Sequence, residues 1–159
     1  MKLSTKFKIN VFVVLVVLMQ HMPFSFDIRP EHMPEVLSLI IYVIYFLNKD
    51  ALGYLNLIWI ALLNDIMNLG YVGISVMQYL IYAMYIDSLK KKYNSTNLLI
   101  EWVGFCTLNI VLLPCKYSFL NFIQNHDIIF SVMLLKKMFV TIACFPVVYY
   151  FINKFVKNY

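Results

Sequence analysis

Charged residues are scarce in this chain. Lys, Arg, Asp and Glu together make up 13% of its 159 residues, whereas 62% of the residues are hydrophobic. Soluble domains carry about 25% charged residues. The mean hydropathy of +0.77 is likewise that of an apolar chain. The composition therefore excludes a water-soluble domain of ordinary type and predicts an integral membrane protein.

The sequence also lacks the residue groupings that carry catalysis or bind metals. Its acidic residues are scattered singly, whereas enzymes that transfer polyprenyl or phospholipid groups use grouped acids to hold divalent cations. Cys106, Cys115 and Cys144 have no CxxC spacing and no neighbouring histidine, which favours packing roles. No Gly-rich phosphate loop and no Ser, His and Asp set is evident. We expect no enzyme activity, metal site or cofactor.

Long apolar runs are what the sequence does contain. They predict an all-α polytopic membrane protein, a single transmembrane helical domain over residues 1–159 with about six helices, or five as the alternative. A membrane-spanning helix needs about 20 residues, and the second and fourth runs are shorter. These two must therefore cross a thin stretch of membrane, be flanked by interfacial residues, or be sheltered by other helices. The predicted spans are residues 9–26, 34–47, 51–69, 71–86, 98–113 and 130–152.

The basic residues predict the orientation. If the N-terminus is cytoplasmic, four of the thirteen Lys and Arg residues, Arg29, Lys116, Lys136 and Lys137, fall outside and the rest fall inside. An even number of spans then returns the C-terminus to the cytoplasm. We therefore expect a multi-pass membrane protein with both termini in the cytoplasm.

One acid interrupts an apolar run, in the stretch LLNDIMNLGYVG at residues 62–73. At 1.5 Å per residue, Asp65 lies about 21 Å into the third span, in the outer third of a hydrocarbon core of about 30 Å. Asn64 and Asn68 share one side of the helix end with it, and Gly73 permits a tight reversal. Three interpretations stay open: an interhelical polar cap, a residue that receives a partner or ligand, and a proton or cation site.

Lys136 and Lys137 lie at a similar estimated depth on the last span. If that helix ends at Lys154, Lys137 lies about 25 Å before its end, near the outer surface. Side chains that extend to the interface would explain both lysines. An ion pair from either lysine to Asp65 is the alternative hypothesis.

The order and spacing of these features resemble the MreD family of bacterial rod shape-determining proteins over almost the whole chain. Arg29-Pro30 is similar to the family's Arg-Pro, and Pro34, followed by Glu35, opens the second span. Asp65 falls thirty-one residues after Pro34, where the family places an acid. The MreD family consists of small inner-membrane proteins with five or six spans.

Later positions extend this resemblance. Val72-Gly73 stands where Leu-Gly is usual in the family. Pro146, preceded by Phe145 and followed by apolar residues and a basic tail, is similar to the family's aromatic-Pro segment. Ala61 departs from the pattern, since a glycine is common four residues before the acid.

The resemblance implies a non-enzymatic scaffold of the cell-wall elongation machinery, which maintains rod shape and regulates peptidoglycan synthesis. The implied partners are membrane lipids, the bitopic MreC and, through it, the MreB filament, the glycosyltransferase RodA and a class B penicillin-binding transpeptidase, with no nucleic acid. The alternative is the substrate-binding membrane subunit of an energy-coupling-factor vitamin transporter, which is similar in size and apolarity. Such a subunit should carry a polar and aromatic pocket that opens outward.

Overall fold

The computed structural model describes residues 3–21, 35–50, 52–67, 72–93, 97–124 and 132–157. Within these ranges all regular structure is helical, which confirms the predicted all-α class. The helices are α1 (Leu3–His21), α2 (Val36–Leu47), α3 (Tyr54–Met67), α4 (Ile74–Tyr93), α5 (Leu98–Gln124) and α6 (Val132–Lys157).

Several helices continue beyond the predicted spans. α4 reaches Tyr93 instead of ending at residue 86, because the lysines that end its apolar run are good helix formers. α5 reaches Gln124 instead of ending at residue 113, and Pro114 lies inside it. By length and apolar composition, two segments in the described ranges could cross a membrane, Leu98–Phe119 and Leu134–Val156. The apolar runs therefore locate the helices but not their ends.

α2 lies at the centre of the bundle. Its residues from Leu37 to Phe46 are all buried, and the helix packs against α6, α4 and α1. With twelve residues it is about 18 Å long. A helix that is covered on all sides by other helices needs no polar face, which fits its apolar sequence. The shelter that its neighbours provide, one of the three predicted possibilities, is present in the fold.

An aromatic cluster links four helices in the core. The ring centroids of Tyr42 on α2 and Phe105 on α5 are 5.0 Å apart, and those of Phe105 and Phe145 on α6 are also 5.0 Å apart. Tyr82 on α4 meets Tyr42 edge-on, with 5.7 Å between the centroids. Such ring pairs stabilise a core beyond the area that they bury.

The outside of the bundle is apolar as well. Water disfavours large contiguous apolar surfaces, which rarely occur on soluble monomers. A bundle with an apolar interior and an apolar exterior is typical of a helical protein in lipid. Large apolar side chains more than half exposed occur on α1, α3, α4, α5 and α6: Leu15, Trp59, Met77, Val111 and Phe139.

The aromatic cluster generates a stability prediction. Phe105→Ala should lower the free energy of unfolding in detergent by about 3–5 kcal/mol, because it leaves a cavity among four helices. Phe122→Ala, on the same helix, is the matched control, since Phe122 is 83% exposed and should change stability by less than about 0.5 kcal/mol. Chemical unfolding of both variants tests this, and equal losses at the two positions would contradict it.

Candidate functional site

Glu35 places a carboxyl group inside the bundle, directly before the first residue of α2. Its side chain is only 8% exposed. A carboxylate taken out of water costs several kcal/mol unless ion pairs and hydrogen bonds replace its hydration. The surrounding helices supply both.

Two lysines from two other helices lie beside one oxygen of this carboxylate. Lys116 Nζ on α5 is 3.0 Å from Glu35 Oε1, and Lys137 Nζ on α6 is 4.0 Å from the same atom. Lys137 also donates to the hydroxyl of Tyr117 at 2.6 Å. Both lysine side chains are mostly buried. The group therefore holds two positive charges against one negative charge.

Neutral polar groups complete the surroundings of Glu35. Ser38 donates to Oε2 at 3.1 Å, and the amide nitrogen of Gln78 on α4 lies 3.3 Å from the same oxygen. The amide oxygen of Gln78 accepts from Lys116 at 3.3 Å. The backbone N–H of Glu35 donates to Thr141 Oγ1 on α6 at 3.2 Å. We call this set the Glu35 cluster: Glu35, Ser38, Gln78, Lys116, Tyr117, Lys137 and Thr141.

Hydrogen bonds continue from the Glu35 cluster into the core. Gln78 donates to the hydroxyl of Tyr82 at 3.1 Å, and that hydroxyl donates to Asn109 Oδ1 at 3.2 Å. The amide nitrogen of Asn109 donates to the backbone carbonyl of Phe105 at 2.8 Å. Buried polar groups need such partners, and this chain of bonds supplies them between α4 and α5.

A cavity of about 650 Å³ lies beside the Glu35 cluster, between α4 and α5. Most of its lining is apolar, and Gln78 and Lys116 supply polar groups to its wall. Three lining residues, Val72, Met77 and Phe119, are more than half exposed, so the cavity opens to the surface of the bundle between α4 and α5. Its volume is within the range of about 300–1,000 Å³ found for ligand pockets.

Asp65 holds the start of α4. Its Oδ2 accepts from the backbone N–H of Gly73 at 2.7 Å, and the N–H of Ser75 lies 3.2 Å from Oδ1. Asn64 donates to the hydroxyl of Ser75 at 3.0 Å. Gly73 has a φ of 111°, a conformation that favours glycine. These contacts are those of the interhelical polar cap, with a carboxylate at the positive end of a helix.

The predicted ion pair between Asp65 and the last helix is not formed in the described part of the chain. Lys137 lies with Tyr117 and Glu35 instead, and Lys136 is exposed. The physical reason is that backbone N–H groups already occupy the carboxylate of Asp65, while the buried carboxylate of Glu35 is the one that lies beside Lys137. The other predicted candidates Arg29, Pro30, Pro34 and Asn68 lie outside the described residues.

Pro146 lies in the interior of α6. Because proline has no N–H, the carbonyl of Ile142, one turn earlier, loses its helical partner. The indole N–H of Trp102 on α5 donates to that carbonyl at 3.2 Å. Pro146 therefore leaves a carbonyl of α6 free to accept a hydrogen bond from α5.

Glu101, in the first turn of α5, is fully buried. The hydroxyl of Tyr149 lies 3.5 Å from its Oε1, and Tyr42 donates to its backbone carbonyl at 3.3 Å. Its Oε2 has no hydrogen-bond partner among the described residues. Gly104 leaves room for Tyr42, since a Cβ there would lie 3.1 Å from the Tyr42 hydroxyl.

A second set of charged and polar side chains lies at the opposite end of the bundle. Lys49, after α2, and Tyr54, at the start of α3, each donate to Asp87 Oδ2 on α4 at 2.7 Å. Burial alone would raise the pKa of the Asp87 carboxyl, but the hydrogen bonds from Lys49 and Tyr54 outweigh burial and hold this pKa below its ordinary value. Lys49, Tyr54 and Asp87 therefore connect α2, α3 and α4 at this end of the bundle.

The Glu35 cluster does not follow from the sequence. Glu35 and Lys116 are far apart in the chain, and Glu35, Lys116 and Lys137 each fit an interfacial position when considered alone. The available signal was that all three were assigned to the same side of the membrane. Gln78 and Asn109 carried a second signal, because a polar side chain inside an apolar helix needs a partner. Among the described residues, no group of three or more His, Cys, Asp or Glu side chains is placed to hold a metal ion.

Comparison of the chain with known protein families, with curated proteins and with solved structures finds no match.

The Asp65 contacts predict a loss of stability on substitution. Asp65→Ala should lower the free energy of unfolding by about 1–2 kcal/mol, because the first N–H groups of α4 lose their acceptor. Asp50→Ala is the matched control, since Asp50 is exposed and its removal changes the net charge equally. If chemical unfolding in detergent gave the same small change for both variants, Asp65 would not act as a cap.

The Asp87 pair predicts a dependence of stability on pH. Because the pKa of Asp87 is lowered in the folded protein, its contribution is present near neutral pH and is lost as the pH falls below about 4. Asp87→Asn should cost about 0.5–1 kcal/mol near pH 7. The gap in unfolding midpoint between wild type and this variant should close at acidic pH. A gap that stays constant would contradict the assignment.

Proposed function

We propose that the chain is a multi-pass protein of the bacterial inner membrane, with both termini in the cytoplasm. Two groups of polar contacts at opposite ends of the bundle support this proposal. At one end, Glu35 before α2 pairs with Lys116 on α5 and Lys137 on α6. At the same end, Asp65 on α3 binds the start of α4. Lys49 and Asp87 pair at the other end. Helices that alternate in direction between two polar ends suit a chain that crosses a bilayer repeatedly.

The lengths of three helices are compatible with this arrangement. α4, α5 and α6 have 20, 27 and 26 residues. At 1.5 Å per residue, each is at least about 30 Å long, the thickness of the hydrocarbon core. The central α2 is shorter, but its neighbours cover it, so its length need not match the lipid. Apolar side chains on the outside of five helices provide the surface that lipid requires.

We further infer that the protein is a non-enzymatic scaffold of the MreD type in the cell-wall elongation machinery. This inference rests on the contrast between the interior and the exterior of the bundle. In the interior, the polar side chains of the Glu35 cluster bond to one another, whereas the outer helix faces are broad and apolar. Such faces associate with partner helices by close packing and modest hydrogen bonds. A bitopic protein such as MreC is the kind of partner that can use them.

The cavity between α4 and α5 supports a second candidate, the substrate-binding subunit of a vitamin transporter. It lies at the end of the bundle that the proposed orientation places outside. However, its lining is mostly apolar, and it opens through exposed Met77 and Phe119 to the side of the bundle. A pocket for a water-soluble vitamin should present more polar groups and open to water. The scaffold is therefore the better supported function.

Isolation of the protein from its own host tests the two candidates together. The tagged chain should stay in membranes after an alkaline wash, and the detergent extract should contain an MreC-type bitopic protein after cross-linking. A tagged, unrelated multi-pass protein from the same cells is the control for non-specific capture. Variants Trp59→Ala and Phe139→Ala, on exposed faces of α3 and α6, should differ in how much partner they retain, which would identify the contact face. A bound vitamin together with ATPase subunits, instead of the bitopic protein, would contradict the scaffold role.

A further inference from the structure

The Glu35 cluster carries an unbalanced positive charge. Among the described residues, Lys116 and Lys137 both form their ion pairs with Glu35, so two ammonium groups share one carboxylate. These lysine side chains are 20% and 15% exposed, which limits screening by water. An excess charge in a largely desolvated place favours an anion nearby.

Lys116 is placed to meet that anion. It lines the cavity between α4 and α5, and an ammonium group has three N–H donors. Within the described part of the chain, Glu35 and Gln78 take two of them. The third has no partner among the described residues, and Lys116 and Gln78 both contribute to the cavity wall.

The rest of the cavity selects an apolar group. Its wall includes Met77, Ile81, Leu112 and Phe119, and the exposed Met77 and Phe119 lie where it opens to the side of the bundle. In a membrane this side faces lipid. A molecule that enters there must carry a long apolar portion, which excludes a small water-soluble anion as the natural occupant.

We propose that this cavity binds an anionic phospholipid, with an acyl chain along the apolar wall and a phosphate oxygen at the ammonium group of Lys116. The proposal rests on the proposed embedding in the membrane, but not on the scaffold role. A charge-assisted hydrogen bond from Lys116, together with the net positive charge of the Glu35 cluster, gives preference to lipids with net negative charge. The lipid would cover the gap between α4 and α5 and support their polar contacts from outside.

Native mass spectrometry of the detergent-purified full chain tests the proposal. The protein is incubated with phosphatidylglycerol or phosphatidylcholine of identical acyl chains, and the fraction that retains lipid is measured. We expect retention of phosphatidylglycerol to exceed that of phosphatidylcholine by about tenfold, because both lipids offer a phosphate oxygen to Lys116 but the net positive charge of the Glu35 cluster repels the choline cation. Equal retention of the two lipids would overturn the proposal.

Charge variants test whether lipid retention depends on this site or on attraction of anionic lipid to basic residues in general. Lys116→Gln should reduce phosphatidylglycerol retention to the level of phosphatidylcholine. Lys136→Gln is the matched control, because Lys136 is an exposed lysine of the same charge, and it should leave retention unchanged. Glu35→Gln frees Lys116 from its carboxylate and should raise retention. Equal losses at Lys116 and Lys136, or a loss in Glu35→Gln, would contradict the site.

A variant that leaves the ion pairs intact guards against misfolding. Ile81→Trp places a larger side chain in the cavity without touching Glu35, Lys116 or Lys137, and it should reduce retention of both lipids several-fold. Unchanged retention would show that lipid binds elsewhere and would overturn the proposal. Recovery of the protein from washed membranes is scored separately. A chain that is absent from washed membranes contradicts the proposed embedding, whereas a membrane-resident chain with no lipid preference contradicts only this inference.

Discussion

The buried carboxylate of Glu35 is the constraint on which the rest of the bundle depends. It enters the core at the start of an apolar helix that contributes the hydroxyl of Ser38, so both compensating charges must come from other helices. α5 and α6 each supply a lysine, and α4 supplies an amide. Removing one partner of such a buried pair costs more than the pair itself contributes, because the remaining charge is left uncompensated. The electrostatic requirement of one residue thus determines which helices meet at this end.

Packing alone would not fix that arrangement. Apolar helices in an apolar surrounding can slide or rotate with little change in buried area, since lipid chains and leucine side chains are similar solvents. The aromatic cluster fills the middle of the bundle, and the directional bonds lie at its two ends, around Glu35 and around Asp87. Each end ties α2 to α4, so the central helix is held in both register and rotation.

The sequence predicts some features of this fold well and others hardly at all. Apolar runs gave the helices and their order, and a count of residues along α3 placed Asp65 at a helix end, where its carboxylate meets Gly73. Helix ends were missed where polar but helix-forming residues continue the helix, as they do in α4. The Glu35 cluster was missed because its members lie on four helices, and apolar periodicity says nothing about which helices are neighbours. Glu101 shows the same limit, since a place in the first turn of a helix does not reveal burial, and the contacts with α2 and α6 emerge only from the packing.

Trp102 and Pro146 illustrate how a local defect becomes a connection between helices. The carbonyl of Ile142 has an indole partner only because the proline cannot supply one. A residue with an N–H at position 146 would compete with Trp102 for the same oxygen, and loss of the indole would leave that oxygen without its donor. The two positions are therefore energetically coupled, so a change at either one alters the cost of a change at the other. Along α6, the position that lacks an internal hydrogen bond is also a position at which α5 is hydrogen-bonded to it.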